Sequence, residues 1–418
     1  MKIRLDGVYY GWYVVGACNF VAAMTWGIGI FNQGVFLGYF VREFQWSPAT
    51  LSAGATIFHL WAGVSGIVIG RVIDRRGPKT ILVTGALGLA AGAIAFGMAR
   101  EQWHVFPAFL LLSTGFACLH TVTLGKIIAR WFLRQRARAM ALATFGAGIG
   151  GATLVPLNAF LLERWGGPAG GAVLAAIVLL VVIPLALIVF KDGPETLGLK
   201  VDGDSADTVT DISIRDHRDW TVAQAMRTTA FWALSFAFFA AMFAQSAFLL
   251  HQILFLQMTF GLVGAASVVT VTTVMGMAGR GLYAAFGNRW RSRDVAGGVF
   301  MLQAAGFMLF AIHPAPWSLI AGSAIFGFTM GIVVILQPLV TAECFGQRTF
   351  GRVFGPIYMW IRIGSALGPV VIGVIYAAVG EYRLAWLILS TMLALAAIGI
   401  RWAVVADTGP EKTPIAPG

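Results

Sequence analysis

Apolar residues gather in twelve runs, at about 11–40, 50–72, 80–99, 103–128, 138–162, 169–190, 230–258, 262–287, 295–312, 316–342, 353–379 and 383–404, each bounded by charges, Pro or Gly. Crossing a hydrocarbon core of ~30 Å takes ~20 mostly apolar residues in a helix, so runs of this length predict spans. The chain is expected to be an all-α integral membrane protein with twelve transmembrane helices in two six-helix halves. Between the halves lies a polar stretch, 191–227, which holds eight of the 18 acidic residues and reads as a solvated linker. The expected organisation is an N-terminal half at 1–190, a linker loop at 191–227, a C-terminal half at 228–404 and a tail at 405–418.

Charge placement supplies an orientation. Of the 29 Lys and Arg, 23 fall on segments that share a side with the two termini, and four (Arg42, Arg100, Arg164 and Arg383) fall on the other side. Positive residues in short loops mark the cytoplasmic side. Both termini, the linker and the tail are therefore expected in the cytoplasm, in a multi-pass protein of the cell (inner) membrane. The remaining two, Arg280 and Arg362, lie inside apolar runs.

Composition narrows the function classes. With 58% hydrophobic and 11% charged residues and a mean hydropathy of +0.81, the chain is far from a soluble domain, in which about 25% would be charged. Its net charge of +11 sits on loops that flank spans, where it acts as a topology signal, so nucleic acid is not an expected partner. The three cysteines, Cys18, Cys118 and Cys344, lie inside or beside apolar runs and imply no disulfide framework. The first run is too long for a signal-peptide core and is expected to be a retained helix. Paired carboxylates, metal-spaced His/Cys clusters and a nucleotide-binding Gly-x-x-x-x-Gly-Lys-Ser/Thr loop are missing from the sequence, which disfavours an intramembrane enzyme or a nucleotide-driven pump, and no cofactor is expected. The expected working unit is a monomer in the lipid bilayer.

Between the second and third runs the chain reads Gly70-Arg71-Val72-Ile73-Asp74-Arg75-Arg76-Gly77-Pro78-Lys79. This resembles the signature loop of the major facilitator superfamily, a Gly followed by Asp-Arg-x-Gly-Arg/Lys. The opening Asp6-Gly7-Val8-Tyr9-Tyr10-Gly11-Trp12 is similar to the start of monocarboxylate transporters, and Arg130-Trp131-Phe132-Leu133-Arg134-Gln135-Arg136-Ala137-Arg138-Ala139-Met140-Ala141 resembles their motif at the start of the fifth helix. Pro194-Glu195-Thr196-Leu197-Gly198-Leu199 is typical of bacterial relatives. The resemblance implies the major facilitator fold and transport of small carboxylates, with oxalate/formate exchangers as neighbours. It also implies that Asp74 and Arg75 act as gating residues, making charge pairs between halves. Two positions depart from the pattern: Asn32-Gln33 stands where these transporters usually have Lys, and Gly276 where they have Asp one turn before the eighth-helix Arg.

Transporters of this kind contain two parallel halves, which can be compared internally. Aligning Asp74-Arg75 with Asn288-Arg289 sets Gly66 opposite Arg280, and aligning Gln135-Arg136 with Gln347-Arg348 sets Gly150 opposite Arg362. One half offers charge where the other offers space. Counting 1.5 Å per residue from the nearest loop places Arg280 ~12 Å and Arg362 ~15 Å deep, near the midplane. An Arg there costs about 2.5–3.5 kcal/mol on insertion scales unless it faces water, a partner or a ligand. No Asp or Glu occurs in mid-helix to pair with either, because Glu343 lies near a helix end and Asp294 in a loop.

Two readings follow for each arginine. It either bonds carbonyls or tyrosines and orders the bundle, or it faces a wet cavity and binds a carboxylate with its planar guanidinium. Tyr358, one turn before Arg362, and Asn32 and Gln33 in the first helix are expected to complete a polar substrate lining. His251, in the seventh run, is the candidate for proton coupling, since its reference pKa is near 6.5 and no intramembrane carboxylate competes. His59 and His120 also lie in apolar runs and read more readily as structural. The expected function is secondary active transport of small organic anions, mono- or dicarboxylates, with a small carboxylate and protons as the partners to test. Exchange of the oxalate/formate type and export of amphipathic drugs, suggested by 31 Phe and 14 Trp, remain the alternatives.

Overall fold

The computed structural model describes residues 9–133, 135–191, 193–203, 220–346 and 350–403, without the side chains of 66–68, 70, 71, 74–76, 121, 122, 137, 203, 288 and 351. Its spans are α1 (Tyr10–Phe44), α2 (48–76), α3 (Gly77–Gly97), α4 (Gln102–Trp131), α5 (136–165), α6 (167–188), α7 (229–260), α8 (262–286), α9 (Ser292–Ile312), α10 (Pro316–Phe345), α11 (Phe350–Val379) and α12 (Arg383–Gly399). Three pairs of spans run on with barely a loop: α2 into α3, α5 into α6, and α7 into α8. Each reverses at one glycine, Gly77, Gly166 or Gly261, with φ of 76°, 76° and 68°. That left-handed conformation is strained for a residue with a Cβ, so a single glycine makes the break.

Helices approach one another through small residues. A Cβ on Gly150 would lie 2.0 Å from Ala23 O, which brings α5 backbone to backbone with α1, and one on Gly115 would lie 2.2 Å from Leu89 N across α4 and α3. In the second half, a Cβ on Gly331 would lie 2.1 Å from Gly276 O and one on Gly279 2.2 Å from Phe328 O, so α8 and α10 are pressed together along one seam. In lipid, where apolar burial between helices gains little, such close packing is what associates spans. Gly276 lends its carbonyl to this seam, while a Cβ on Gly276 itself would meet Gly327 O of α10 at 3.3 Å, a close contact that needs only a small adjustment.

The halves meet along three seams: α1 with α7, α2 with α11, and α5 with α8. The face carrying the 191–227 connection is termed the linker face and the opposite one the far face. Toward the far face, Thr56 Oγ1 donates to Ala366 O (2.6 Å) and Gln257 Nε2 to Gly38 O (3.3 Å). Also there, a Cβ on Gly34 would meet Leu249 O and Leu250 O at 2.9 Å. At mid-depth, Thr270 Oγ1 donates to Ala152 O (3.1 Å). These hydrogen bonds and the Gly34 contact join the halves at mid-depth and close them together toward the far face.

The motifs behind the resemblance converge on the linker face of the first half. Tyr9 Oη donates to Trp131 O (2.9 Å), Tyr9 and Trp12 pack against Phe132 at 5.6 and 4.9 Å, and Arg138 sits 5.4 Å over the Trp12 ring. A Cβ on Gly11 would strike Phe132 at 2.8 Å, which accounts for glycine between the aromatics. Past the Pro194 turn, Asp202 accepts from the backbone N–H of Leu133 (3.0 Å) and Gln135 (3.5 Å), holding the turn that leads into α5. Burial, with the Asp202 and Glu195 carboxylates nearby, pushes the Tyr9 phenol up to about 12, so it stays protonated as the donor to Trp131. These residues clamp α1 to the α4–α5 turn and do not reach the cavity.

Candidate functional site

A cavity of about 300 Å³ opens at the centre of the bundle, with walls from α1, α2, α4 and α5 of one half and α7, α8, α10 and α11 of the other. Arg280, Arg362, Tyr358 and Gln33 all line it. So do His59 and His120. No Asp or Glu stands on its wall among the described residues, and the Arg42–Glu163 ion pair (3.4 Å) is exposed and lies off the cavity.

Arg280 is presented by α8 at the α5 seam. The α8–α10 packing through Gly276 and Gly279 fixes its backbone, and its Nη1 donates to Thr144 O at 3.4 Å. That carbonyl is free to accept because the helix is interrupted between Thr144 and Gly146. One long bond uses one of five guanidinium N–H donors, and Arg280 lines the cavity with the others to spare. Arg362 is presented by α11, with its guanidinium 4.8 Å over the Tyr358 ring one turn earlier and donating to Tyr358 Oη. Both arginines therefore make the kind of structural bond foreseen for them while also lining the cavity. His59 and His120 line the same cavity as Arg362, from the other half.

Helix irregularities shape the first-half wall. Gly27–Phe31 in α1 is a π-helical turn, and the carbonyls it loosens are taken by side chains: Asn32 Nδ2 donates to Gly27 O (2.8 Å), and Gln33 Nε2 donates to Gly29 O. Asn32 also reaches Leu154 O in α5 at 3.4 Å. It is fully buried and is not on the cavity wall, so of the two adjacent amides only Gln33 lines the cavity. In α4 the helix Val105–Leu119 stops at His120, whose backbone is extended (φ −80°, ψ −174°), and restarts at Thr121. The break turns the imidazole into the cavity against Trp26 (5.4 Å) and Phe116 (4.6 Å).

His251 stands behind the cavity wall, fully buried, toward the far face. Its Nε2 lies 3.1 Å from Pro369 O and 3.0 Å from Ser52 Oγ, and its Nδ1 2.8 Å from Tyr382 Oη. A carbonyl only accepts, so Nε2 carries hydrogen; Ser52 donates onward to Pro48 O (2.6 Å) and Tyr382 donates to Nδ1. A neutral imidazole satisfies every group around it. Because Ser52 belongs to the other half, His251 is part of the far-face seal, separated from the arginines by the wall. The side chains of Asp74 and Arg75, expected as gating residues, lie outside the described residues.

The comparison that identifies the family is with the model described as Major Facilitator Superfamily, which matches residues 15–355 and 264–417. The chain belongs to this superfamily. It is similar to monocarboxylate transporter 13 of Rattus norvegicus, 25% identical over 408 residues and covering 94% of this chain and 88% of that one. It is also similar to the riboflavin transporter of Saccharomyces cerevisiae (23% identical, 88% and 73% covered) and to the membrane sensor protein UhpC of Escherichia coli (24%, 75% and 74%). Among solved structures, a bacterial homologue of the human lysosomal transporter Spinster, inward-facing and occupied, matches with a TM-score of 0.69 at 16% identity, covering 94% of this chain and 97% of that one. The protein is a multi-pass membrane transporter of the major facilitator fold, homologous to monocarboxylate transporters.

Proposed function

We propose that this transporter carries small organic anions, mono- or dicarboxylates, by alternating access. The observation that supports it is a cavity walled by two arginines and, among the described residues, no carboxylate. Midplane arginines are costly without a counter-charge, and an anionic substrate supplies one. Similarity to monocarboxylate transporters favours the same class. In this reading the halves at 1–190 and 228–404 rock about the site, tied by the linker at 191–227. Arg280 and Arg362 bind the anion, Tyr358 and Gln33 complete the polar wall, Asn32 braces it, and Asp74 and Arg75 gate the linker face. The Lys and Arg bias supports cytoplasmic termini and tail in the inner membrane.

The test is uptake of labelled mono- and dicarboxylates into proteoliposomes, with and without a pH gradient and internal counter-substrate. Saturable carboxylate uptake, insensitive to amphipathic cations, is expected. Transport of such cations and of no carboxylate overturns the reading, and a strict need for internal substrate identifies exchange. If both arginines hold substrate, Arg362→Gln should weaken dicarboxylates about 10–100-fold, the equivalent of about 1.5–3 kcal/mol for a charge-assisted bond, and monocarboxylates less. Equal affinities for both classes in wild type and variant sink the two-arginine assignment.

Proton coupling is assigned to His251. In the sealed conformation its imidazole is satisfied when neutral, and parting of the halves at the far face breaks the Ser52 bond and admits water, where a proton can be taken up. His251→Gln should abolish stimulation by an inward pH gradient while counterflow, which needs no net proton movement, persists. Gradient-driven accumulation that survives the change assigns the proton to His59, His120 or the substrate.

A further inference from the structure

We infer that the substrate is an aromatic carboxylate, whose ring stacks on the α1/α4 wall and whose acid group meets the arginines; the inference rests on the anion-transport reading above. Three observations carry it. The first is size: about 300 Å³ is the share of about ten waters at ~30 Å³ each, and a two- or three-carbon acid would leave most of it to water. The second is the wall itself. Trp26, Phe116 and His120 present rings whose centroids lie 4.6–6.0 Å apart, all lining the cavity, and Trp26 and His120 are only half-buried. The π-helical turn after Trp26 and the break at His120 are the irregularities that put these rings there. The third is the facing wall, where Phe354 and Tyr358 of α11 stand with centroids 5.6 Å apart and Tyr358 is 36% exposed.

Each half thus contributes one aromatic surface and the second half contributes the cations. A planar ring can be held between the surfaces by offset or edge-on contacts, with its carboxylate in plane toward a guanidinium. The arginines line the space from different seams, Arg280 bonded to α5 and Arg362 on α11, which packs against α2. Rocking of the halves brings the two aromatic surfaces together on the ring, so closure depends on its presence.

Competition against labelled substrate in proteoliposomes tests this, with benzoate and phenylacetate set against acetate, lactate and succinate. In wild type, benzoate and phenylacetate should compete at about tenfold lower concentration, the size of one good ring contact. Trp26→Leu and Phe116→Leu should weaken the aryl acids about tenfold more than the aliphatic ones, and Trp26→Phe should restore the preference. Aliphatic acids competing as well as aryl acids in wild type overturns the substrate class and leaves anion transport standing, as does an equal loss for both classes in the wall variants. Competition by benzamide and benzyl alcohol with none by any carboxylate overturns the anion reading itself.

Discussion

Arg280→Ala should abolish carboxylate uptake while the protein still folds and inserts. The stability side follows from what Arg280 touches. Its hydrogen bond to Thr144 O is long at 3.4 Å, and the α8–α10 seam is packed through glycine without help from the guanidinium. Losing the side chain removes a midplane charge that itself costs about 2.5–3.5 kcal/mol, so the melting temperature should fall little. The transport side is different. A carboxylate held by two charge-assisted bonds loses about 3–6 kcal/mol when both go, which is more than about 100-fold in affinity. Arg280→Lys should rescue poorly, because an ammonium is a point charge without the planar fork. Initial uptake rates beside a thermal melt decide it, and a near wild-type rate in Arg280→Ala removes the central assignment.

The spans and both arginines are legible in the sequence for one physical reason: lipid penalises polar groups so heavily that a lone charge in an apolar run stands out. The breaks at Gly77, Gly166 and Gly261 are legible as gaps between runs, but that a single glycine turns the chain at each is not, because a left-handed φ leaves no mark in the hydrophobic pattern. His59 and His120 read as structural, yet both line the cavity. His120 comes there through a break without Pro or Gly. The one local signal is the run Thr121-Val122-Thr123, whose β-branched residues weaken a helix start. His251 is legible as an unusual buried group, but its place in the seal depends on Ser52, Pro369 and Tyr382, between 118 and 199 residues away. Asn32 and Gln33 are neighbours with one apparent role in sequence; the π-helical turn separates them, sending Asn32 to Gly27 and Leu154 and leaving Gln33 on the wall.

A disulfide across the far-face seal should stop transport reversibly. Ser52 in α2 and Gly373 in α11 face each other directly: a Cβ on Gly373 would lie 2.8 Å from Ser52 Cβ. Disulfides need Cβ atoms about 3.5–4.5 Å apart, so a parting of about 1 Å seats the bond. Ser52 and Gly373 are buried like the native Cys18 and Cys118, so it is proximity that pairs the introduced cysteines, and a background without the native three keeps the cross-link unambiguous. Alternating access requires this seam to open, together with the Thr56–Ala366 and His251–Ser52 bonds beside it. The oxidised Ser52→Cys/Gly373→Cys protein should therefore bind substrate without translocating it, because the bond fixes the far face while leaving the cavity walls in place. Reductant should restore uptake to the level of the unoxidised double variant, which controls for loss of the Ser52 hydroxyl. A verified cross-link that leaves uptake at the reduced rate would mean that the halves do not part at this seam, and the rocking mechanism would have to be replaced by one that moves substrate past a closed far face.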